Sequence, residues 1–209
     1  MALAKYHAKR DFKVTPEPKG SAAASTTARK LSFVVQKHQA SQLHYDFRLE
    51  WKGVLLSWAV PKGPSMDPSV KRLAMAVEDH PIEYGGFEGI IPEGQYGGGT
   101  VMVWDRGVWV PESDDVDAAF RKGELKFSLH GSKLKGSWVL VRTRGTGTSP
   151  RSAWLLIKHK DRYASAQDII TAKPRSAISK RLMAEIAASS GGNVVKAAKA
   201  DRVTARAHV

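Results

Sequence analysis

The sequence predicts a mainly β protein: a small closed or partly closed β-barrel with a few short helices and flexible basic tails. Two observations carry this. Leu43 to Trp51 alternates apolar and polar residues without a break, the period of a strand with one buried face. Further runs of strand length follow at short intervals, separated by turns, the rhythm of barrels and sandwiches.

The chain divides into an N-terminal arm (1–32), a barrel (33–172) and a basic Ala/Lys-rich C-terminal tail (173–209). In the arm, Pro16, Pro18, Gly20 and the small polar run 21–27 read as irregular, flexible chain. Residues 33–38 are the first β-like run, and 39–42 a short polar connection to the alternating strand. Lys52-Gly53 reads as a two-residue hairpin turn. Residues 54–60 form an apolar strand, ended by Pro61-Lys62-Gly63-Pro64. Residues 72–80 read as the next strand, with Leu73, Met75 and Val77 on one side and Arg72, Ala74, Ala76, Glu78 and His80 on the other. The glycines between Gly85 and Gly99 read as tight turns, since they have neither a GK[ST] ending nor dinucleotide-binding spacing. Residues 100–104 and 108–111 are expected as strands either side of a turn at Asp105-Arg106-Gly107. Residues 116–122 form a short helix with an acidic N-cap and Gly123 as its stop. Strands at 125–130, 136–142 and 153–158 complete the barrel, with a mobile Gly/Ser/Thr-rich connection at 143–152. In the tail, 179–189 is a short helix and the chain from Gly191 onward is expected to be disordered.

With 209 residues the chain is long enough for one sizeable core plus tails. The absence of Cys excludes a disulfide framework and a thiolate metal site, and fits a reducing compartment. No apolar run approaches a membrane span, and the first ten residues hold no signal-like stretch, so a cytoplasmic, nucleoid-associated protein without membrane partners is expected. The net charge of +13 is uneven: +5 in the arm, +6 in the tail and only +2 across 33–172. Basic ends on a nearly neutral core fit tethering to a polyanion.

The polar face of the alternating strand carries the candidate chemistry. His44 and Asp46 lie one same-face step apart, roughly 6.5–7 Å, so both can lean onto one ion with bonds of about 2–2.2 Å. If the preceding run pairs as a hairpin, His38 joins them. Two imidazoles and a carboxylate suit a borderline divalent ion such as Mn²⁺, with Zn²⁺ or Co²⁺ as alternatives. Arg48, one step further, matches phosphate oxygens in pairs. Gln36 shares the face of His38, and Arg72 that of Glu78 and His80, which makes both candidates for substrate contact. Lys62, just past a strand end, and Tyr84, through its hydroxyl, are further phosphate or sugar candidates. His130 and His159 lie outside the constellation.

Several ungapped blocks, QKHQASQLHYDFRLEW, SWAVPKGPS and KRLAMAVEDHPIEYGGFEGIIPEGQYGGGTVMVWDRGVW, resemble the 3′-phosphoesterase domain of the bacterial DNA ligase D family. KRDF, TPEP and WLLIKHKDRYA extend the resemblance from about residue 6 to about residue 164. The resemblance implies a metal-dependent phosphoesterase that removes 3′-terminal ribonucleosides and 3′-phosphates from nucleic-acid ends during end joining. It implies His38, His44 and Asp46 as Mn²⁺ ligands, His80 as a fourth active-site residue on the phosphate, and a catalytic set of His80, Arg48, His44 and Asp46. It further implies that the arm folds back, with Arg10 on a phosphate, Asp11 and Glu17 behind the site or at the substrate end, and Glu78 orienting a basic partner or a water. Primer–template ends are the implied partner, with ligase, polymerase or end-binding proteins beyond them. The chain has no K-x-D-G motif, so it is expected not to seal nicks, and reads as a stand-alone version or an excised domain. The rival reading is a non-catalytic DNA-end-binding barrel; a third is a metal-binding barrel acting on small molecules.

Overall fold

The alternating stretch is strand β2 (Leu43–Trp51), and the run before it is β1 (Ser32–Gln39); they pair antiparallel with His38 opposite His44 and Gln36 opposite Asp46. The computed structural model describes residues 3–20, 30–143 and 153–202. Lys52 (φ 48°) and Gly53 (φ 81°) then turn the chain, the double positive φ of a type I′ hairpin, into β3 (Val54–Val60). The remaining strands are β4 (Lys71–Ala76), β5 (His80–Pro81), β6 (Gly89–Ile91), β7 (Gly99–Pro111), β8 (Glu124–Gly131), β9 (Lys135–Arg142) and β10 (Ala153–Lys158). Pairing runs β1-β2-β3-β4-β10-β9-β8-β7, and β7 returns to β1. The result is a closed antiparallel eight-stranded barrel; β6 extends β7, and β5 adds to β3. Closure leaves these eight strands without a free edge.

The inward face of β2 supplies Tyr45, Phe47 and Leu49, all buried, to a core that also holds Phe33, Trp58, Trp104, Trp109, Phe127, Trp138 and Trp154. Trp58 meets Trp154 edge-on, ring centroids 5.9 Å apart, the geometry aromatic quadrupoles favour. The helix at Val116–Lys122 has the expected ends: Asp115 accepts the Ala118 N–H at 2.8 Å, and Gly123 takes φ 85°.

Three expectations need correction. The strand expected to run unbroken from 72 to 80 stops at Ala76. Ala76 faces Trp58 across the pair, but His80 faces Leu55, one residue out of step. That extra residue exchanges the faces. Ala74 is therefore in the core while Leu73 is exposed, and His80 returns to the outer face of β3. Second, Asp105-Arg106-Gly107 is no turn, because β7 runs through it with a bulge against β1. Asp105 is buried, its carboxylate accepting the N–H groups of Lys133 and Leu134 at 3.0 and 2.8 Å. At Gly107 a Cβ would collide with the His130 carbonyl oxygen, so glycine serves close strand approach there. Gly107→Ala should cost about 1–3 kcal/mol by forced displacement of β8, measurable by urea denaturation; an unchanged midpoint would refute it.

Third, the chain after Gly191 is helical as far as described. Two helices, Met183–Ser189 and Val194–Arg202, place Met183, Ile186, Ala187, Ala197 and Ala200 in the main core. Asp201 accepts the N–H groups of Met183 and Ala184, and buried Lys37 donates to the Ala200 carbonyl at 3.2 Å. The alanines that make the stretch look like low-complexity tail are the small side chains that let a helix sit against the barrel. The other expected flexible runs, 21–27 and most of 143–152, lie outside the described residues, as do 203–209. No helix among the described residues is long and apolar enough to cross a membrane.

The outer surface of the β1-β2-β3 wall is also covered. A second apolar cluster of Tyr6, Val34, Leu55, Tyr84 and Val103 sits there, with Leu3 and Phe12 of the arm packed on it. The short helix α1 (Ala4–Ala8) and residues 9–18 thus fold back over the barrel. Asp46 and Arg48 are 7% and 2% exposed, although their strand position alone marks them as a solvent face.

Candidate active site

Hairpin pairing brings His38 and His44 side by side, ring centroids 4.8 Å apart. Asp46 Oδ2 lies 3.6 Å from His38 Nδ1 and 3.7 Å from His44 Nε2. Those separations are too long for hydrogen bonds. They match the gap that two metal–ligand bonds of about 2.1 Å bridge, and one ligand atom from each of the three residues lies within 4.8 Å of the others.

The surroundings decide which nitrogens are available. His38 Nε2 is 2.8 Å from the Gly97 carbonyl oxygen, and His44 Nδ1 is 3.1 Å from that of Gln42. A carbonyl only accepts, so each of those nitrogens carries the proton. The lone pairs are left on His38 Nδ1 and His44 Nε2, the two atoms that face Asp46. Burial lowers the His44 pKa below the ordinary imidazole value even though Asp46 opposes it. Burial alone would raise the Asp46 carboxyl; Arg48 and the two imidazoles outweigh it and hold the group well below the usual carboxylate range. Neutral His44 beside ionised Asp46 is the donor set a divalent cation needs.

Arg48 is locked in place. Its Nε donates to Gln36 Oε1 at 2.9 Å and its Nη1 to Ser57 Oγ at 2.8 Å, while Nη2 sits 3.2 Å from Asp46 Oδ2. Gln36 in turn donates to the carbonyls of Tyr84 and Phe87. Ser57 is the residue of β3 directly opposite Arg48.

From the arm comes a second guanidinium. Arg10 Nε donates to Glu17 at 2.9 Å, Nη1 lies 3.4 Å from Glu78, and Nη2 is 3.2 Å from His80 Nε2. His80 Nδ1 donates to the Glu78 carbonyl at 2.9 Å, so Nε2 bears the lone pair that meets Arg10. Burial, reinforced by Arg48 and Arg10, depresses the His80 pKa well below normal. The Tyr84 hydroxyl donates to Glu17 at 3.0 Å, and its ring lies 4.9 Å from the Arg48 guanidinium carbon. In the metal-free protein, His44 should therefore be less than half protonated and His80 essentially neutral at pH 6.5, where a free imidazole is half protonated. Long-range ¹H–¹⁵N NMR should place the proton on Nδ1 of both; a charged His80, or a His44 more than half charged, at that pH would contradict the arrangement.

A hollow of about 320 Å³ collects Arg10, His38, His44, Asp46, Arg48, Glu78, His80 and Tyr84. Glu17 stands behind Arg10 and Gln36 behind Arg48. Three of the expected residues lie elsewhere. Lys62 and Arg72 line a separate hollow of about 290 Å³ with Leu43 and Tyr45, because Tyr45 belongs to the opposite face of β2. Asp11 is exposed, and its carboxylate accepts the nearby Lys13 N–H at 3.0 Å. The sequence reading missed Ser57, Thr15, which donates to Glu17 at 2.9 Å, and Lys9, which bonds Glu78 at 3.0 Å. It also missed the Gly97 carbonyl and Tyr96 beside it. A lone serine on the β2-facing register of an apolar strand was the available signal for Ser57; the others depend on where the arm and the glycine loop come to rest.

Comparison with known proteins agrees with this geometry. The family model described as the DNA ligase D 3′-phosphoesterase domain matches residues 36–142, which hold both histidines, Asp46, Arg48 and His80. The multifunctional non-homologous end joining protein LigD of Pseudomonas aeruginosa is 52% identical over 184 residues, 87% of this chain and 22% of that protein. The corresponding LigD proteins of Mycobacterium tuberculosis and Mycolicibacterium smegmatis are 46% and 42% identical over 68% and 76% of the chain. The chain spans about a fifth of the length of these relatives. With a matching model over half its length and these side chains gathered at one wall of an eight-stranded barrel, the chain belongs to the DNA ligase D 3′-phosphoesterase domain family.

Proposed function

We propose that the chain is a metal-dependent hydrolase of phosphoesters at nucleic-acid 3′ ends, removing terminal ribonucleosides and 3′-phosphates to leave a 3′-OH during end joining. The observation that carries the reading is the convergence of two imidazole lone pairs and an ionised carboxylate within 4.8 Å, with Arg48 at 3.2 Å from the same carboxylate. His38, His44 and Asp46 would hold Mn²⁺, which when bound supplies Lewis-acid charge to a phosphate oxygen. Arg48 offers its Nη2 edge to the other phosphate oxygens, and its bonds to Gln36 and Ser57 keep that edge aimed without reorganisation. Arg10, held by Glu17 and Glu78, presents a second guanidinium beside His80. His80 Nε2 is a neutral acceptor at the same end of the hollow, an atom able to hold a proton once Arg10 turns to the phosphate. A polymerase or ligase acting on the 3′-OH is the class of partner this product requires.

The test is a labelled primer–template ending in one ribonucleotide, with a parallel 3′-phosphate substrate. EDTA should abolish release of the terminal group, and Mn²⁺ should restore it. DNA binding that survives EDTA, with no release under any metal, would favour the non-catalytic end-binding module instead.

A further inference from the structure

Tyr96 is half exposed at the mouth of the hollow, among the most exposed aromatic side chains of the described residues. It is adjacent in sequence to Gly97, whose carbonyl orients His38. Its ring is held in place: Lys9 donates to the hydroxyl at 3.0 Å, with its ammonium 4.4 Å from the ring centroid, and the Arg10 guanidinium carbon lies 5.7 Å from that centroid. Lys9 and Arg10 are themselves anchored by Glu78. The polar side chains deeper in the hollow are engaged with one another and serve a phosphate. A terminal nucleotide also brings a base, and a base needs an apolar plane.

On the phosphoesterase reading above, we propose that Tyr96 is the stacking platform for the nucleobase of the 3′-terminal nucleotide. Adjacency to Gly97 couples the ring to the imidazole of His38, so base and phosphate are gripped in fixed relation. A ring reads only the π-face common to all bases, so the platform accepts any of them and discriminates a base from its absence. Lys9, against the ring, adds positive charge where the phosphodiester backbone approaches.

The experiment compares primer–template duplexes ending in a ribonucleoside with a base and in an abasic riboside. For the unaltered chain, kcat/KM should favour the base-bearing end by about tenfold, within the range that base–aromatic stacking supplies, chiefly through KM. Tyr96→Ala should bring that ratio close to one whatever its absolute rate. Tyr96→Phe, which keeps the ring and loses the Lys9 hydrogen bond, should preserve it. Equal rates on the two ends by the unaltered chain, or a ratio unchanged in Tyr96→Ala, would overturn the platform and leave the phosphoesterase reading standing. No release from either end would overturn both.

Discussion

His44→Ala should eliminate measurable 3′-end processing while the barrel still folds. Of the three proposed ligands, His44 has the side chain most open to solvent, 25% exposed against 8–10% for His38 and Asp46, so its loss leaves little unfilled volume in the core. It removes one of three donors and lets Asp46 relax towards Arg48 alone. Losing the ion's contribution of several kcal/mol to the transition state corresponds to a rate loss on the order of 10³-fold or more. Circular dichroism and thermal melting should stay close to the parent, and isothermal titration should show Mn²⁺ binding weakened or lost. Full turnover with normal Mn²⁺ affinity in this variant would remove His44 from the site and with it the proposed mechanism.

Arg48→Ala should lose both activity and stability, and the pairing of the two effects is the signature. Its guanidinium is 2% exposed and bonded to Gln36, Ser57 and Asp46. Removing it strands an ionised carboxylate and a buried amide oxygen. Breaking one side of a buried pair typically costs about 3–5 kcal/mol; the neighbouring imidazoles can take up part of the Asp46 charge, so a value towards about 3 kcal/mol is expected. Activity should fall by about 10²–10³-fold, the loss found when one preorganised donor to a developing charge is removed. Arg48→Lys should recover charge and little activity, because a single ammonium lacks the planar fork that spans Gln36, Ser57 and a phosphate. A lysine variant with near-normal kcat would show that charge alone suffices there. Mn²⁺ should partly restore stability to Arg48→Ala, since the ion replaces the missing positive charge beside Asp46.

Much of this site was legible in the letters. A strand repeats every two residues, so HYDFR placed His44, Asp46 and Arg48 on one face, and a four-residue polar connection implied the hairpin that adds His38. Resemblance, rather than period, pointed to Arg10, Glu17 and His80. Where reading by period failed, a local irregularity was responsible. One extra residue before His80 exchanged the faces of 72–80, and regular pairing of Asp105, Arg106 and Gly107 with β1 holds an apparent DRG turn as continuous strand. Lys62 looked eligible because it lies just past a strand end, and Arg72 because an unbroken period put it on the face of His80, yet both open onto the other side of β2.

The sequence by itself determined the strand periods, the turns at Lys52-Gly53 and Gly123, the short capped helix and the grouping of His38, His44 and Asp46, because each rests on neighbours within about ten residues. Tertiary structure decided how deeply the arm buries the polar wall, that Arg10 meets His80 across seventy positions, and that an alanine-rich stretch is a packed helix. Those outcomes follow from burial and from contacts between distant segments. A two-residue or 3.6-residue period records which face is apolar; it does not record what comes to cover the other.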